Sequence, residues 1–143
     1  MKFLIINGPN LNLLGRREPG IYGDQSYQAL CALIRDHAAA RGSAADCFQS
    51  NHEGAIIDQI QAADGTYDAI IINPGAYTHY SYAILDALKA VDVPAYEVHI
   101  SRIDQREPFR AVSVTAPACV GQLYGHGFDG YLMAMDFFLE GKA

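Results

Sequence analysis

At 143 residues with half of them apolar, the chain is sized for one domain (residues 1–143) with a proper core that needs no staple. A formal net charge of -6, from 10 Lys+Arg against 16 Asp+Glu, argues against a nucleic-acid partner, because neutralising phosphates needs a basic excess. Cys31, Cys47 and Cys119 are dispersed in apolar surroundings, the N-terminus lacks a signal-peptide pattern, and no run nears the ~20 apolar residues of a membrane span, so a cytoplasmic protein with no membrane partner is expected.

Taken in chain order, Phe3 to Asn7 is an apolar run that ends in Asn7-Gly8-Pro9-Asn10 and reads as a buried strand delivering a loop. That loop carries Arg16, Arg17 and Tyr22 between Gly15, Gly20 and Gly23, which suits an arm holding a cation and a phenol over a pocket. Tyr27, Leu30, Cys31, Ile34 and Ala38 then form a helical stripe that Gly42 is placed to end. A second strand is expected over Ala45 to Ser50. It is followed by a helix through Ile56, Ile57, Ile60 and Ala63, with Asn51 as N-cap and Gly65 as stop. Ala69 to Asn73 makes the third strand, and Ile84, Leu85, Leu88 and Val91 the helix after it, ended before Pro94. Ala95 to Ile100 and Cys119 to Tyr124 complete the strands, and Tyr131, Leu132, Met135, Phe138 and Leu139 form a last helix. Around Asp104 to Arg110 the connection is short and polar, so a brief helical turn is expected there.

Strict β-α alternation with nearly unbroken apolar strands implies an α/β fold whose parallel sheet is covered on both faces. Right-handed crossovers then give a flavodoxin-like three-layer sandwich with strand order 2-1-3-4-5.

Polar groups cluster just past the strands: Asn10, then Asn51-His52-Glu53, then Asn73 with His79, then His99-Ile100-Ser101. One rim gathers them, as expected of a crevice at the carboxyl edge of an open sheet. Glu97 and His99 are two apart on one strand and point to the same side, so the carboxylate can orient the imidazole and make it a candidate general acid. A strand-end histidine satisfied by a carbonyl is the bland alternative. A zinc site from His79, His99 and Glu97 or His52 is a third, opposed by arginines that would repel the ion. Ile100 and Ser101 offer backbone N–H groups and a hydroxyl to a carboxylate, and Arg106 and Arg110, four apart, would share a helical face toward the same pocket. No GxGxxG or GxxxxGK[ST] is present, and Lys2, Lys89 and Lys142 are placed where none suits a Schiff base. Such a rim suits a small polyhydroxylated carboxylate and acid-base elimination. A guanidinium at Arg17 would favour the Tyr22 phenolate, whose unperturbed pKa is about 10. A non-enzymatic flavodoxin-like module holding a flavin or small acid is the rival reading, though such a binder has no evident need for the Arg17/Tyr22 and Glu97/His99 pairings. A metal-dependent hydrolase is a second rival.

The blocks INGPNLNLLGRREPGIYG, QSNHEG, INPGAYTHYSYAILDAL, YEVHIS and REPFR occur in the order and spacing of the type II 3-dehydroquinate dehydratases, which the chain resembles over nearly its whole length. The resemblance implies reversible dehydration of 3-dehydroquinate to 3-dehydroshikimate by anti elimination through an enolate, without metal or cofactor, in the shikimate pathway or quinate catabolism. It implies Tyr22 as base activated by Arg17, Asn10 holding a water at the enolate oxygen, and His99, oriented by Glu97, protonating the departing hydroxyl. Asn73, His79 and Arg110 would bind ring hydroxyls, Ile100 and Ser101 the carboxylate, and Asp86 would approach from a neighbouring subunit of a dodecamer built from trimers. The chain departs from the usual family pattern at Arg102, at Asp104-Gln105 and over Ala111 to Pro117, which leaves a divergent paralogue open.

Overall fold

β-Branched runs become strands and 3.6-period stripes become helices along the 1–16 and 25–141 segments that the computed structural model describes. The strands are β1 (Lys2–Asn7), β2 (Ala44–Gln49), β3 (Ala69–Asn73), β4 (Ala95–His99) and β5 (Gly121–Tyr124). The α-helices among the described residues are α1 (Tyr27–Ala40), α2 (Glu53–Ala63), α3 (Tyr82–Ala90) and α4 (Asp129–Leu139). All strand pairs are parallel and the order is β2-β1-β3-β4-β5, the flavodoxin-like arrangement that the alternation implied.

Each strand sends alternate residues to opposite faces, and this sorts the core into two layers. Phe3, Ile5, Ala69, Ile71, Tyr96 and Val98 pack under α1 and α4 with Leu30, Ile34, Tyr131 and Met135. Leu4, Ile6, Ile70, Ile72 and Ala95 pack under α2 and α3 with Ile56, Ile60, Ile84 and Leu88. Because Ile71 and its neighbours are fully buried, truncating one to alanine costs about 2–5 kcal/mol.

Helix starts follow local chemistry. The Ser26 hydroxyl accepts from the Ala29 N–H at 3.1 Å to cap α1, and the Ser81 hydroxyl accepts from Ile84 N–H at 3.0 Å to cap α3. Gly42 turns the chain out of α1 at φ 70°, a conformation that costs a glycine nothing. The expected Asn51 cap is corrected. His52 occupies the N-cap of α2 without a side-chain bond, and the Asn51 Oδ1 accepts instead from the Asn10 N–H at 3.0 Å and from Gln49 Nε2 at 3.1 Å. An asparagine at a strand end can serve either backbone, and here the neighbouring loop wins.

The connection from β4 to β5 contains no α-helix. It holds three single 3₁₀ turns, Ile103–Gln105, Pro108–Arg110 and Ala116–Ala118, where only one turn was expected. Pro108, Pro117 and the β-branched Val112, Val114 and Thr115 deny this stretch a helical stripe.

Candidate active site

The carboxyl ends of β1, β3 and β4 finish at nearly one level, with Asn7 opposite Asn73 in the β1/β3 register. Above them lies a cleft of about 300 Å³ lined by Asn10, Asn73, His79, His99, Ile100, Ser101, Arg106 and Arg110, together with Pro9, Leu11, Gly75, Ala76 and Ile103. Of the residues singled out from sequence, the cleft therefore gathers Asn10, Asn73, His79, His99, Ile100, Ser101 and Arg110. Arg17 and Tyr22 lie outside the described residues. Asp86 is exposed on α3 and does not line the cleft of its own chain.

Each lining group is held by its local backbone. Asn10 sits in the left-handed region at φ 70°, which asparagine tolerates better than most residues, and its N–H is pinned by Asn51. Gly8 has no room for a side chain, since a Cβ would lie 2.4 Å from the Pro74 carbonyl oxygen; β1 and β3 can thus leave the sheet side by side. His79 is fixed through Nδ1, 2.9 Å from the Val112 carbonyl oxygen. The Ile100 turn is tied to the end of β5 by Gly125 N–H to His99 O at 3.3 Å and Gly127 N–H to Ile100 O at 3.1 Å. Arg106 and Arg110 both reach the cleft although no α-helix aligns them, and Arg110 Nε stands 2.9 Å from Glu107 Oε2.

Two polar networks underlie the rim. Under α4, the Tyr131 hydroxyl donates to Asn7 Oδ1 at 2.6 Å and accepts from Asn73 Nδ2 at 3.0 Å, leaving Asn73 Oδ1 to accept from the Gly75 N–H at 3.1 Å. Burial pushes the Tyr131 phenol well above its ordinary pKa, so it stays a neutral donor. On the α3 face, His99 Nε2 lies 2.9 Å from Glu97 Oε2, and Glu97 has no solvent exposure. Burial is the largest single influence on Glu97 and raises its pKa. The His99 hydrogen bond and charge, with the Thr115 and Ser113 hydroxyls, outweigh it and hold the carboxyl below its ordinary value. A carboxylate only accepts, so the hydrogen between the pair sits on His99 Nε2.

Sequence reading missed Thr78, Ser113, Thr115, Gln122 and Tyr131. Ser113 and Thr115 lie between the Pro108–Arg110 and Ala116–Ala118 turns, and both donate to Glu97. Gln122 faces Glu97 across the β4/β5 register and reaches its Oε2 with Nε2 at 2.8 Å. Only the parity of β5 carried a signal for it.

A family model described as dehydroquinase class II matches residues 1–139. The chain belongs to that family. This class II dehydroquinase is 59% identical over 138 residues to a 3-dehydroquinate dehydratase of Lachnoclostridium phytofermentans, covering 95% of this chain and 94% of that one. Its fold superposes on the crystal structure of a type II dehydroquinase from Butyrivibrio crossotus with a TM-score of 0.92 and 54% identity, over 99% of this chain and 98% of that one. A 3-dehydroquinate dehydratase-like protein from Bifidobacterium longum is more distant, at 29% identity and a TM-score of 0.73 over 100% and 98% of the two chains. The class II dehydroquinase thus stands nearer in sequence to relatives named as dehydratases than to the one named as dehydratase-like.

Proposed function

We propose that the cleft performs an acid-base elimination in which Tyr22 and His99 act from opposite sides of one ring. The activity is that of a 3-dehydroquinate dehydratase, a hydro-lyase giving 3-dehydroshikimate and water. The observation that carries the reading is the buried Glu97/His99 pair, with His99 lining a cleft whose other polar groups are two asparagines, a histidine, a serine turn and two arginines.

Tyr22, as phenolate favoured by Arg17, takes the proton from the carbon beside the ketone, and the electron pair moves onto the ketone oxygen as an enolate. Asn10 holds a water that donates to that oxygen. When the enolate collapses, the carbon–oxygen bond of the leaving hydroxyl breaks and His99 supplies the proton that makes it water. Ile100 and Ser101 receive the ring carboxylate through backbone N–H groups and the Ser101 hydroxyl. Asn73, His79 and Arg110 take ring hydroxyls, and fixed donors around a rigid ring give the alignment an elimination needs. The depressed pKa of Glu97 supports the assignment, since an ionised carboxylate can only accept and so orients the His99 ring through its Nε2–H.

Asp86 completes the site from a neighbouring subunit, in keeping with its exposed position on α3. Assembly is a dodecamer of four trimers, each single-domain chain contributing one site, and the enzyme works in the cytoplasm in the shikimate pathway or in quinate breakdown. Among the described residues no helix is long and apolar enough to cross a membrane. Adding 3-dehydroquinate to the purified protein and following the absorbance of the conjugated enone tests the activity. Tight binding without turnover would favour a passive module, and loss of turnover to a chelator would favour a metal-dependent hydrolase. Solution mass tests the assembly, which a fully active monomer would refute.

A further inference from the structure

Glu97 is surrounded by more donors than orienting one imidazole requires. An ionised carboxylate has about four lone-pair sites. His99 Nε2 at 2.9 Å, Ser113 Oγ at 2.7 Å and Gln122 Nε2 at 2.8 Å all reach Oε2, and the Thr115 hydroxyl donates to Oε1. Three donors converge on Oε2 and one on Oε1, so a proton on Oε2 would confront donors already there.

The direction of each bond follows from this. Ser113 and Thr115 spend their single hydrogens on Glu97, so the Thr78 hydroxyl, 2.7 Å from Ser113 Oγ and 2.8 Å from Thr115 Oγ1, is the donor toward them and shares its one hydrogen between the two. The Ala116 N–H donates to Ser113 Oγ at 3.0 Å, filling its acceptor side as well. The Val114 N–H, donating to the Thr78 carbonyl oxygen at 2.7 Å, fastens the hydroxyl-bearing segment to the turn that carries Thr78. Thr78 and Thr115 are fully buried, so no water competes for these bonds.

We infer that Thr78, Ser113, Thr115 and Gln122 are positioning residues that lock Glu97 as an acceptor and thereby fix His99 with a proton on Nε2, so that any proton His99 delivers to the cleft leaves from Nδ1. Its consequence for turnover rests on the proton-donor role proposed for His99. In that step the Nδ1–H bond breaks, an O–H bond forms on the leaving hydroxyl, and His99 is left neutral with Nε2–H still held by Glu97.

Thr115→Val keeps the side-chain volume and removes one donor; Thr115→Ser keeps the hydroxyl; Gln122→Leu removes a donor from another element. Magic-angle-spinning ¹⁵N spectra of histidine-labelled protein report the ring protonation directly, and with five histidines in the chain His99→Asn identifies the signal. In Thr115→Val and Gln122→Leu the His99 Nε2 signal should move from purely protonated toward a mixture of protonated and bare nitrogen. The same variants should lose about 10- to 100-fold in kcat with KM changed less than about twofold. Thr115→Ser should restore both readings. Ring signals identical to wild type in both Thr115→Val and Gln122→Leu would overturn the inference. Signals that move while kcat stays at the wild-type value would uphold the lock and refute His99 as the acid.

Discussion

The two faces of the sheet meet the same cleft with opposite electrostatic strategies. Under α4, Asn7, Tyr131 and Asn73 form a neutral chain of amides and a phenol, and Asn7 Nδ2 is buried without a hydrogen bond of ordinary geometry among the described residues. Under α3, a fully buried carboxylate accepts from four donors, three at Oε2 and one at Oε1. A neutral group can tolerate one missing bond at about 1–3 kcal/mol, whereas a buried charge cannot be left exposed to an apolar surround without neutralising. The neutral face therefore aims a side chain, and the charged face stores a proton relationship.

Substitutions separate these tasks. The largest effect is expected for His99→Asn, which removes the proposed acid and should lower kcat by about 10²- to 10⁴-fold while ligand binding, followed by calorimetry, survives. Glu97→Gln should follow. It sets an NH₂ group among donors, so turnover should fall by at least about tenfold and stability by about 1–3 kcal/mol in urea titrations. Glu97 also gives the fold a definite acid sensitivity. Its folded pKa lies below the ordinary 4.5, so in that window the unfolded chain binds more protons than the native one. The stabilisation is complete above pH 4.5 and drains away as pH falls through the depressed value, and the Glu97→Gln variant should show a flatter stability profile there.

Tyr131→Phe tests the neutral face. Losing one hydroxyl strands Asn7 Oδ1 and Asn73 Nδ2, so unfolding should come about 1–3 kcal/mol earlier, with KM rising more than kcat falls because Asn73 is aimed less well. A larger loss of kcat than in Glu97→Gln would reverse the division of labour. Arg102→Ala should do least. Its paired bonds to Asp104, at 3.0 and 2.8 Å, join side chains 49% and 37% exposed, and such pairs contribute little and fade with salt.

How much of this could be read from the letters depends on periodicity. Runs such as Ile70-Ile71-Ile72 and the Leu30, Ile34, Ala38 stripe announce their elements, and parallel topology then delivers Asn73, His99 and Ser101 to one edge. Glu97 with His99 was legible because strand parity is strict. Ser113 and Thr115 were not, because the segment that carries them has no period and its path is set by prolines and 3₁₀ turns. Tyr131 was read as one more core residue of a helical stripe, which it is, but its hydroxyl also joins the two strand-end asparagines. Asn51 was assigned to a cap because asparagine suits one. A backbone amide brought from Asn10 by the fold competed and won.

The helix that is missing between β4 and β5 has a last consequence, in time instead of space. A helix spends its amides on itself, while an irregular crossing such as 103–118 leans on tertiary partners and opens at lower cost than the sheet beneath it. Since Ser113 and Thr115 ride on that crossing, gentle warming or dilute urea should silence catalysis while circular dichroism still reports an intact molecule. Amide exchange over those residues should keep pace with the silence.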